Sequence, residues 1–583
     1  MSGRPLPPAH SPRVWAPRAR YVEFVADGRR MPMDPARGGW WEGPVDALVA
    51  GLDYGFALDG GDPLPDPRSP WQPDGVHGLS RWVDHAAFTW HDGDWQPPGL
   101  ESAVLYELHV GTFTPAGTFD AAADRLDDLV DLGVSHVELM PVAEFPGSRG
   151  WGYDGVDLFA PHHAYGGPDG LKRFVDAAHG RGLAVVLDVV YNHLGPDGNY
   201  LPRFGPYLTD RYRTLWGDAV NLDGPGSDEV RRFICDNALA WLRDYHVDGL
   251  RLDAVHTMVD GSAVHILEQL AAEVDAQEVR AGRRLLLIAE SDLNDPRIVR
   301  PRAEHGCGID AQWSDDFRHA LHVTLTGERG GIHGDFTGLA DLCRALRDVF
   351  VYGGQPSSFR ERRHGRPVED MPRSRFVGFL QNHDQVGNRA LGERSSQLLG
   401  PDALKVAAAI VLLGPLVPLL FHGEEWGAAT PFLYFTDHTD PELARAVREG
   451  RREVDTLRTG QEAAPDPGAP ETFERSRLDW SERSREPGVS LLDWHRRLIA
   501  LRRELPALAA GPVPDVTCDE GDGWLLVRRS GTLLAANVGR KRVFIHLDDA
   551  DRLRLELQSS DAVELDGPRL VLPVMSAAFL VPR

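Results

Sequence analysis

The sequence predicts a closed eight-stranded parallel α/β barrel, with a small β-sandwich before it and an antiparallel β domain after it. Three observations predict this. Eight short apolar runs alternate with helix-patterned segments through the middle of the chain. Acidic and histidine residues collect at the C-terminal ends of those runs, where such a barrel carries its active site. Both ends of the chain alternate apolar and polar residues with a strand's period of two. An open doubly wound sheet would satisfy the first observation, but eight successive runs favour closure.

Taken in order, residues 1–97 are rich in Pro, Gly and Trp and contain short alternating stretches such as "RYVEFVADG". They are expected to form the N-terminal β-sandwich, of an immunoglobulin-like, carbohydrate-binding kind. Residues 98–505 hold the runs "AVLYELHVGTF", "HVELMPV", "LAVVLDVVYNH", "VDGLRLDAV", "RLLLIAESD", "DAQWSDDF", "RFVGFLQNHD" and "LVPLLFHGEEW". Helical patterns such as "FDAAADRLDDLVDLG" and "GLKRFVDAAHGRG" separate them, the texture of βα units. The most apolar stretch, 406–421, is broken by Gly and Pro and is short for a membrane span. It reads as a buried helix turning into a buried strand. Residues 506–583, with "GWLLVRRSGTLLAANVG" and "RVFIHLDD", are expected to form the C-terminal antiparallel domain.

Bulk properties exclude several functions. The 583 residues carry a formal charge of −25, which argues against a nucleic-acid partner, because phosphate binding needs clustered Lys and Arg. The four cysteines (Cys235, Cys307, Cys343 and Cys518) are far apart without CxxC spacing. Neither a disulfide framework nor a zinc site is expected, and a reducing cytoplasm fits. The first residues lack an apolar h-region, so no signal peptide is read there, and no membrane association is expected. "GWGYDG" at 150–155 formally matches GxGxxG, but no strand precedes it and no helix follows it, so a nucleotide site is rejected. No GxSxG, Walker loop or HExxH is present.

The chemistry lies in the strand ends. In "GLRLDAV", Leu250 and Leu252 alternate with Arg251 and Asp253, which puts a cation and a carboxylate on one face of a buried strand. Burying an unpaired charge is costly, so these charges are expected to pair in a cleft. Asp253 ends the fourth run, Glu290 the fifth, and His383 and Asp384 the seventh; Asp188 and His193 stand on the third. Retaining glycoside hydrolysis needs two carboxyl groups about 5–5.5 Å apart, one attacking the anomeric carbon and one protonating the leaving oxygen. Arg251 is expected to keep Asp253 ionised as the nucleophile. Glu290, following the apolar "LLLIA", is expected to have a raised pKa suited to a general acid. Asp384 is placed to stabilise the oxocarbenium-like transition state. His193 and His383 are expected to bond hydroxyls of the same sugar, with Tyr153 stacking on its ring.

"DVVYNH" (188–193), "GLRLDAVH" (249–256), "IAESD" (288–292) and "FLQNHDQ" (379–385) resemble the four signature regions of the α-amylase-type glycoside hydrolase superfamily. The resemblance implies the same roles for Asp253, Glu290 and Asp384, with Arg251, His193, Asn382 and His383 lining the sugar site. Over most of the chain, segments such as "LYELHVGTFTPAGTFDAA", "QWSDDFRHALHVTLTGERGG" and "PFLYFTDH" resemble the maltooligosyltrehalose trehalohydrolase family. That implies cleavage of the α-1,4 bond next to the terminal trehalose of maltooligosyltrehalose, and a synthase partner that makes this substrate. Where many α-amylases carry Lys-His after "DAV", this chain has only His256, a candidate for the leaving-group side. Trp313, Asp316 and Glu393 are candidates for choosing trehalose over maltose. Asn192 matches a calcium ligand of some α-amylases, but the segment 194–228 is short for their calcium-holding domain. A structural Asn is expected, and neither metal nor cofactor. A glycogen branching enzyme, which passes the same glycosyl unit to a sugar hydroxyl, is the alternative. A non-catalytic glycan-binding member would be expected to have lost a carboxylate, and here all three stand.

Overall fold

The computed structural model describes residues 11–459, 464–509 and 516–583. The start of the stretch read for a leader (1–10) and a short piece of the expected C-terminal domain (510–515) lie outside the described residues. At the centre is a closed parallel barrel of eight strands. In chain order these are β1 (Leu105–Leu108), β2 (His136–Leu139), β3 (Ala184–Val189), β4 (Gly249–Leu252), β5 (Leu286–Ala289), β6 (Ala311–Trp313), β7 (Phe376–Phe379) and β8 (Val417–Phe421). Each strand lies within one of the eight apolar runs. β8 closes against β1, with Leu419 opposite Leu105.

The near-continuous apolar strands follow from burial on both faces. One set of side chains, including Val186, Ile288, Val377, Phe379 and Leu419, fills the barrel interior. The alternate set, including Val185, Leu187, Leu250 and Leu252, packs outward against the helices. Leu250 and Leu252 therefore face away from the cleft, as the alternation requires. The apolar stretch at 406–421 forms the end of helix Pro401–Leu413 and then β8. The last carbonyls of a helix have no partner within it. Here Arg502 donates to the Leu412, Gly414 and Leu416 carbonyls, and Arg529 donates to Gly414.

Before the barrel, one sheet joins Arg13–Trp15, Trp40–Glu42 and Asp34–Pro35. A second is built on Val22–Ala26 paired with Asp53–Leu58. After the barrel, Thr517–Glu520, Trp524–Arg529 and Thr532–Asn537 open a five-stranded antiparallel sheet, and a three-stranded sheet lies beside it.

One expectation is corrected. Cys343 and Cys518 form a disulfide, with Cα atoms 5.3 Å apart. Cys343 lies on helix Leu339–Asp348, which packs against strand Thr517–Glu520 of the five-stranded antiparallel sheet. Tertiary packing brings together two residues separated by 175 positions, a pairing that local spacing does not reveal. Cys235 and Cys307 are free. Among the described residues, no helix is long and apolar enough to cross a membrane.

Candidate active site

Arg251 is the hub of the barrel's C-terminal end. Parallel register sets it beside Asp188 on β3, and Asp253 follows one residue past the end of β4. Its side chain is fully buried. Nη1 donates to both Asp188 oxygens at 2.9 and 2.7 Å and to Asp253 Oδ1 at 2.9 Å. Nη2 lies 2.9 Å from Glu290 Oε2, an ion pair whose angle falls outside hydrogen-bond geometry. The guanidinium lies over the Trp313 ring, 4.2 Å from its centroid. The two charges on one strand face are thus paired, and one cation gathers three carboxylates from β3, β4 and β5.

The turn after β4 positions Glu290. Ala254 adopts a left-handed backbone (φ +38°), a conformation that costs a non-glycine residue about 1–3 kcal/mol. That bend lets the Ala254 N–H donate to Glu290 Oε2 at 2.8 Å. Burial raises the Glu290 pKa, but Arg251 and this N–H lower it more, so it stands below the ordinary carboxylate value. Burial, reinforced by the negative Glu290, pushes Asp253 well above its ordinary value, and Arg251 offsets only part of this. The directions expected from sequence are therefore reversed. Burial is the largest single influence on Glu290, and Arg251, the Ala254 N–H and the nearby His383 together outweigh it.

The "GWGYDG" loop builds the wall around His383. Gly152 has φ +99°, and a Cβ there would meet the Pro141 carbonyl oxygen at 2.1 Å, so the motif's glycine serves a tight turn. The loop sets Tyr153 parallel to the His383 ring at 5.1 Å and Trp151 edge-on at 5.6 Å. The Tyr153 hydroxyl donates to Asp188 at 2.6 Å and lies 2.8 Å from His383 Nε2. On the other side, His383 Nδ1 meets Glu107 Oε1 of β1 at 2.5 Å. Burial lowers the His383 pKa, but Glu107 and Asp384 raise it more, to about 9, so His383 is an imidazolium at neutral pH.

The other predicted residues divide into those at the cleft and those below it. Asp384 is partly exposed beside His383 and accepts from Asn388 Nδ2 at 3.1 Å. His193 stacks on Trp216 at 4.3 Å and reaches the Tyr153 carbonyl with Nε2 at 3.0 Å. His256 is exposed on the turn after β4 and accepts from the Asp292 N–H at 3.4 Å. Asn382 is buried, and its side chain caps the turn that carries His383 and Asp384. Trp313 is buried inside the barrel, beneath the Arg251 guanidinium and edge-on to Phe379 at 5.3 Å. Asp316 accepts from the N–H groups of Val351 and Tyr352 and from Asn294 Nδ2, so it anchors a loop. Its neighbour Asp315 is half-buried, and burial with the negative Glu290 and Asp292 raises it to about 8. Glu393 accepts from Leu391 N–H and pairs with Arg389. Sequence reasoning missed Glu107, Trp151, Trp216 and Asp315. Only Glu107, a lone acid inside the apolar "LYELHV", left a local signal.

Two clusters of His and acidic residues among the described residues come close enough to hold a metal, while Asn192 Oδ1 lies 3.1 Å from His193 Nδ1. In Glu144–His162–His163, His162 Nδ1 accepts from the Ala164 N–H. A neutral ring then carries its proton on Nε2, the nitrogen facing Glu144 at 3.8 Å. In His322–Glu328–His333, Arg389 pairs with Glu328 and Arg318 donates to His333, so two guanidinium groups oppose a cation. Neither set suits a metal.

Known proteins share this architecture. Residues 86–213 match the family model for the alpha amylase catalytic domain. A Salmonella typhimurium crystal structure described among the alpha amylases superposes with a TM-score of 0.91 at 40% identity, covering 98% of this chain and 97% of that one. The malto-oligosyltrehalose trehalohydrolase of Arthrobacter ramosus is 55% identical over 88% of this chain and 89% of its own length. That of Rhizobium sp. (strain M-11) is 50% identical over 97% of both chains. With this identity running nearly end to end, the chain belongs to the malto-oligosyltrehalose trehalohydrolase family of α-amylase-type glycoside hydrolases.

Proposed function

We propose that the protein is a retaining glycoside hydrolase that cleaves the α-1,4 bond next to the terminal trehalose of maltooligosyltrehalose, releasing trehalose and a shortened malto-oligosaccharide. The single observation that carries this is the end-to-end similarity to trehalohydrolases, in a chain whose Arg251 gathers carboxylates at the barrel mouth. Asp253 attacks the anomeric carbon, and Glu290 protonates the leaving oxygen and then activates water. Asp384 and the ring-sandwiched His383 hold the sugar as positive charge develops. For Glu290 to carry the proton, it must leave Arg251 and the Ala254 N–H. A substrate seated between the carboxyls supplies the reason, since the glycosidic oxygen then faces Glu290 while Arg251 stays on Asp253. His193, Tyr153 and His256 are the further sugar contacts in this reading, with His256 on the leaving-group side. Trp313 and Asn382 act as positioning residues.

The division into domains 1–97, 98–505 and 506–583 is part of the proposal, with the barrel doing the chemistry. A maltooligosyltrehalose synthase would supply the substrate. The branching-enzyme alternative uses the same carboxylates with a sugar hydroxyl as acceptor, and extensive similarity to hydrolases favours water. The cytoplasmic expectation drew on dispersed cysteines; with Cys343 and Cys518 joined, that support is gone, and no compartment enters the proposal. Incubation with maltotriosyltrehalose tests the reading: free trehalose should appear as the first product, and random internal cleavage or chain transfer would overturn it.

A further inference from the structure

The turn that carries His383 and Asp384 is held from outside the barrel. It is the short helix His383–Gly387, which Asn382 caps at its start and which ends at Asn388. Asp384 Oδ1 is approached from two sides. His383 Nε2 lies 3.6 Å away, and Asn388 Nδ2 donates at 3.1 Å. Asn388 is held in turn by Arg451, on helix Pro441–Thr459, which follows β8 in the chain. Arg451 Nη1 donates to Asn388 Oδ1 at 3.2 Å, and Nη2 donates to the Gly387 carbonyl at 2.7 Å. The same guanidinium lies over the Tyr434 ring, 5.0 Å from its centroid, and Tyr434 meets Trp151 edge-on at 5.2 Å. Trp151 is the residue set edge-on to His383.

Hydrogen-bond chemistry gives this chain of contacts a direction. An Asn side chain ends in an acceptor oxygen and a donor nitrogen, and a half-turn of the amide exchanges them. A guanidinium only donates, so the atom it meets must be the oxygen. Arg451 therefore fixes the amide with Nδ2 toward Asp384. The opposite orientation would set an amide oxygen against a carboxylate, two acceptors with no proton between them. Arg451 also serves the end of the helix, where carbonyls lack partners within it. At that end, a Cβ on Gly387 would lie 2.0 Å from the Trp151 ring, so glycine allows the close approach that Arg451 then holds.

We propose that Arg451 is a positioning residue for the transition-state carboxylate: acting through Asn388, it holds Asp384 by Oδ1 and leaves Oδ2 to the sugar. The role of Asp384 rests on the glycoside hydrolase reading above; its attachment to Arg451 does not. A double-mutant cycle tests the proposal, with fluoride release from a malto-oligosyl fluoride as the readout, since that step requires no particular leaving sugar. Arg451→Ala should lower kcat about tenfold with KM within about twofold of wild type, the mark of an interaction made only in the transition state. In an Asn388→Ala background, the same substitution should change kcat by less than about twofold. Equal losses from Arg451→Ala in both backgrounds, or a rise in KM with kcat unchanged, would overturn the proposal. Asn388→Asp keeps an acceptor for Arg451 and decides the question if Arg451→Ala does not fold. It adds a carboxylate beside Asp384, which already faces His383, Glu290, Arg251 and Glu107, and should move the acidic limb of kcat to higher pH. An unmoved limb would also overturn the proposal. Trehalose release from maltotriosyltrehalose is scored separately on the unaltered protein; its absence would count against the reaction, and the cycle would still decide Arg451.

Discussion

Glu107→Gln should remove a pH-dependent part of the protein's stability that wild type owes to His383. Glu107 is 1% exposed and holds His383 at two points, Nδ1 at 2.5 Å and the backbone N–H at 3.0 Å. His383 is raised from 6.5 to about 9 despite its burial. At about 1.36 kcal/mol per pH unit, that difference amounts to about 3 kcal/mol. Because the folded-state pKa is raised, the contribution is fully present below about pH 6.5 and is lost as pH rises through about 9. Glutamine keeps an acceptor for the N–H but has no charge, so burial then favours the neutral ring. Unfolding should be followed for wild type and Glu107→Gln at pH 6, 8 and 10. The stability gap between them should shrink by about 3 kcal/mol across that range, with about half of the loss complete near pH 8. Any fixed cost of the substitution shifts all three gaps equally and leaves the slope unchanged. A gap that is constant or widens with pH would refute the Glu107–His383 ion pair.

Asp253→Asn should lower trehalose release by about 10⁴-fold or more while keeping substrate binding, measured by steady-state assay and titration. Glu290→Gln should be far less harmful toward a substrate with an already acidic leaving group, which needs little protonation; equal losses on natural and activated substrates would contradict the acid role. Arg251→Met strands three carboxylates and should destabilise the protein by about 3–5 kcal/mol in denaturant unfolding. Any residual activity in that variant should show its acidic limb at higher pH, since Asp253 then lacks its cation.

The barrel was legible because its strands are buried on both faces and so appear as apolar runs, each ended by the residues of the cleft. The pairing of Arg251 with Asp253 was legible for the same reason, being two positions apart on one strand. What lay hidden depends on distance through space. Glu107 meets His383 across 276 residues, and nothing in either segment announces the other. Asp315 and Asp316 stand side by side in sequence, yet the start of their helix sends one toward the cleft and one into a loop anchor. The state of Glu290 is not legible locally because burial, the largest single influence on it, is outweighed by Arg251 from the neighbouring strand acting together with the Ala254 N–H. The Cys343–Cys518 bond likewise joins a helix beside the barrel to a strand of the C-terminal antiparallel sheet.

The most direct measurement is to trap the covalent intermediate. Glu290→Gln should be reacted briefly with a malto-oligosyl fluoride, whose departure needs no acid, then digested and analysed by mass spectrometry. The account predicts a glycosyl mass on the peptide containing Asp253. An unmodified Asp253 peptide with the adduct on another carboxylate, or fluoride release with no adduct at any quench time, would contradict it.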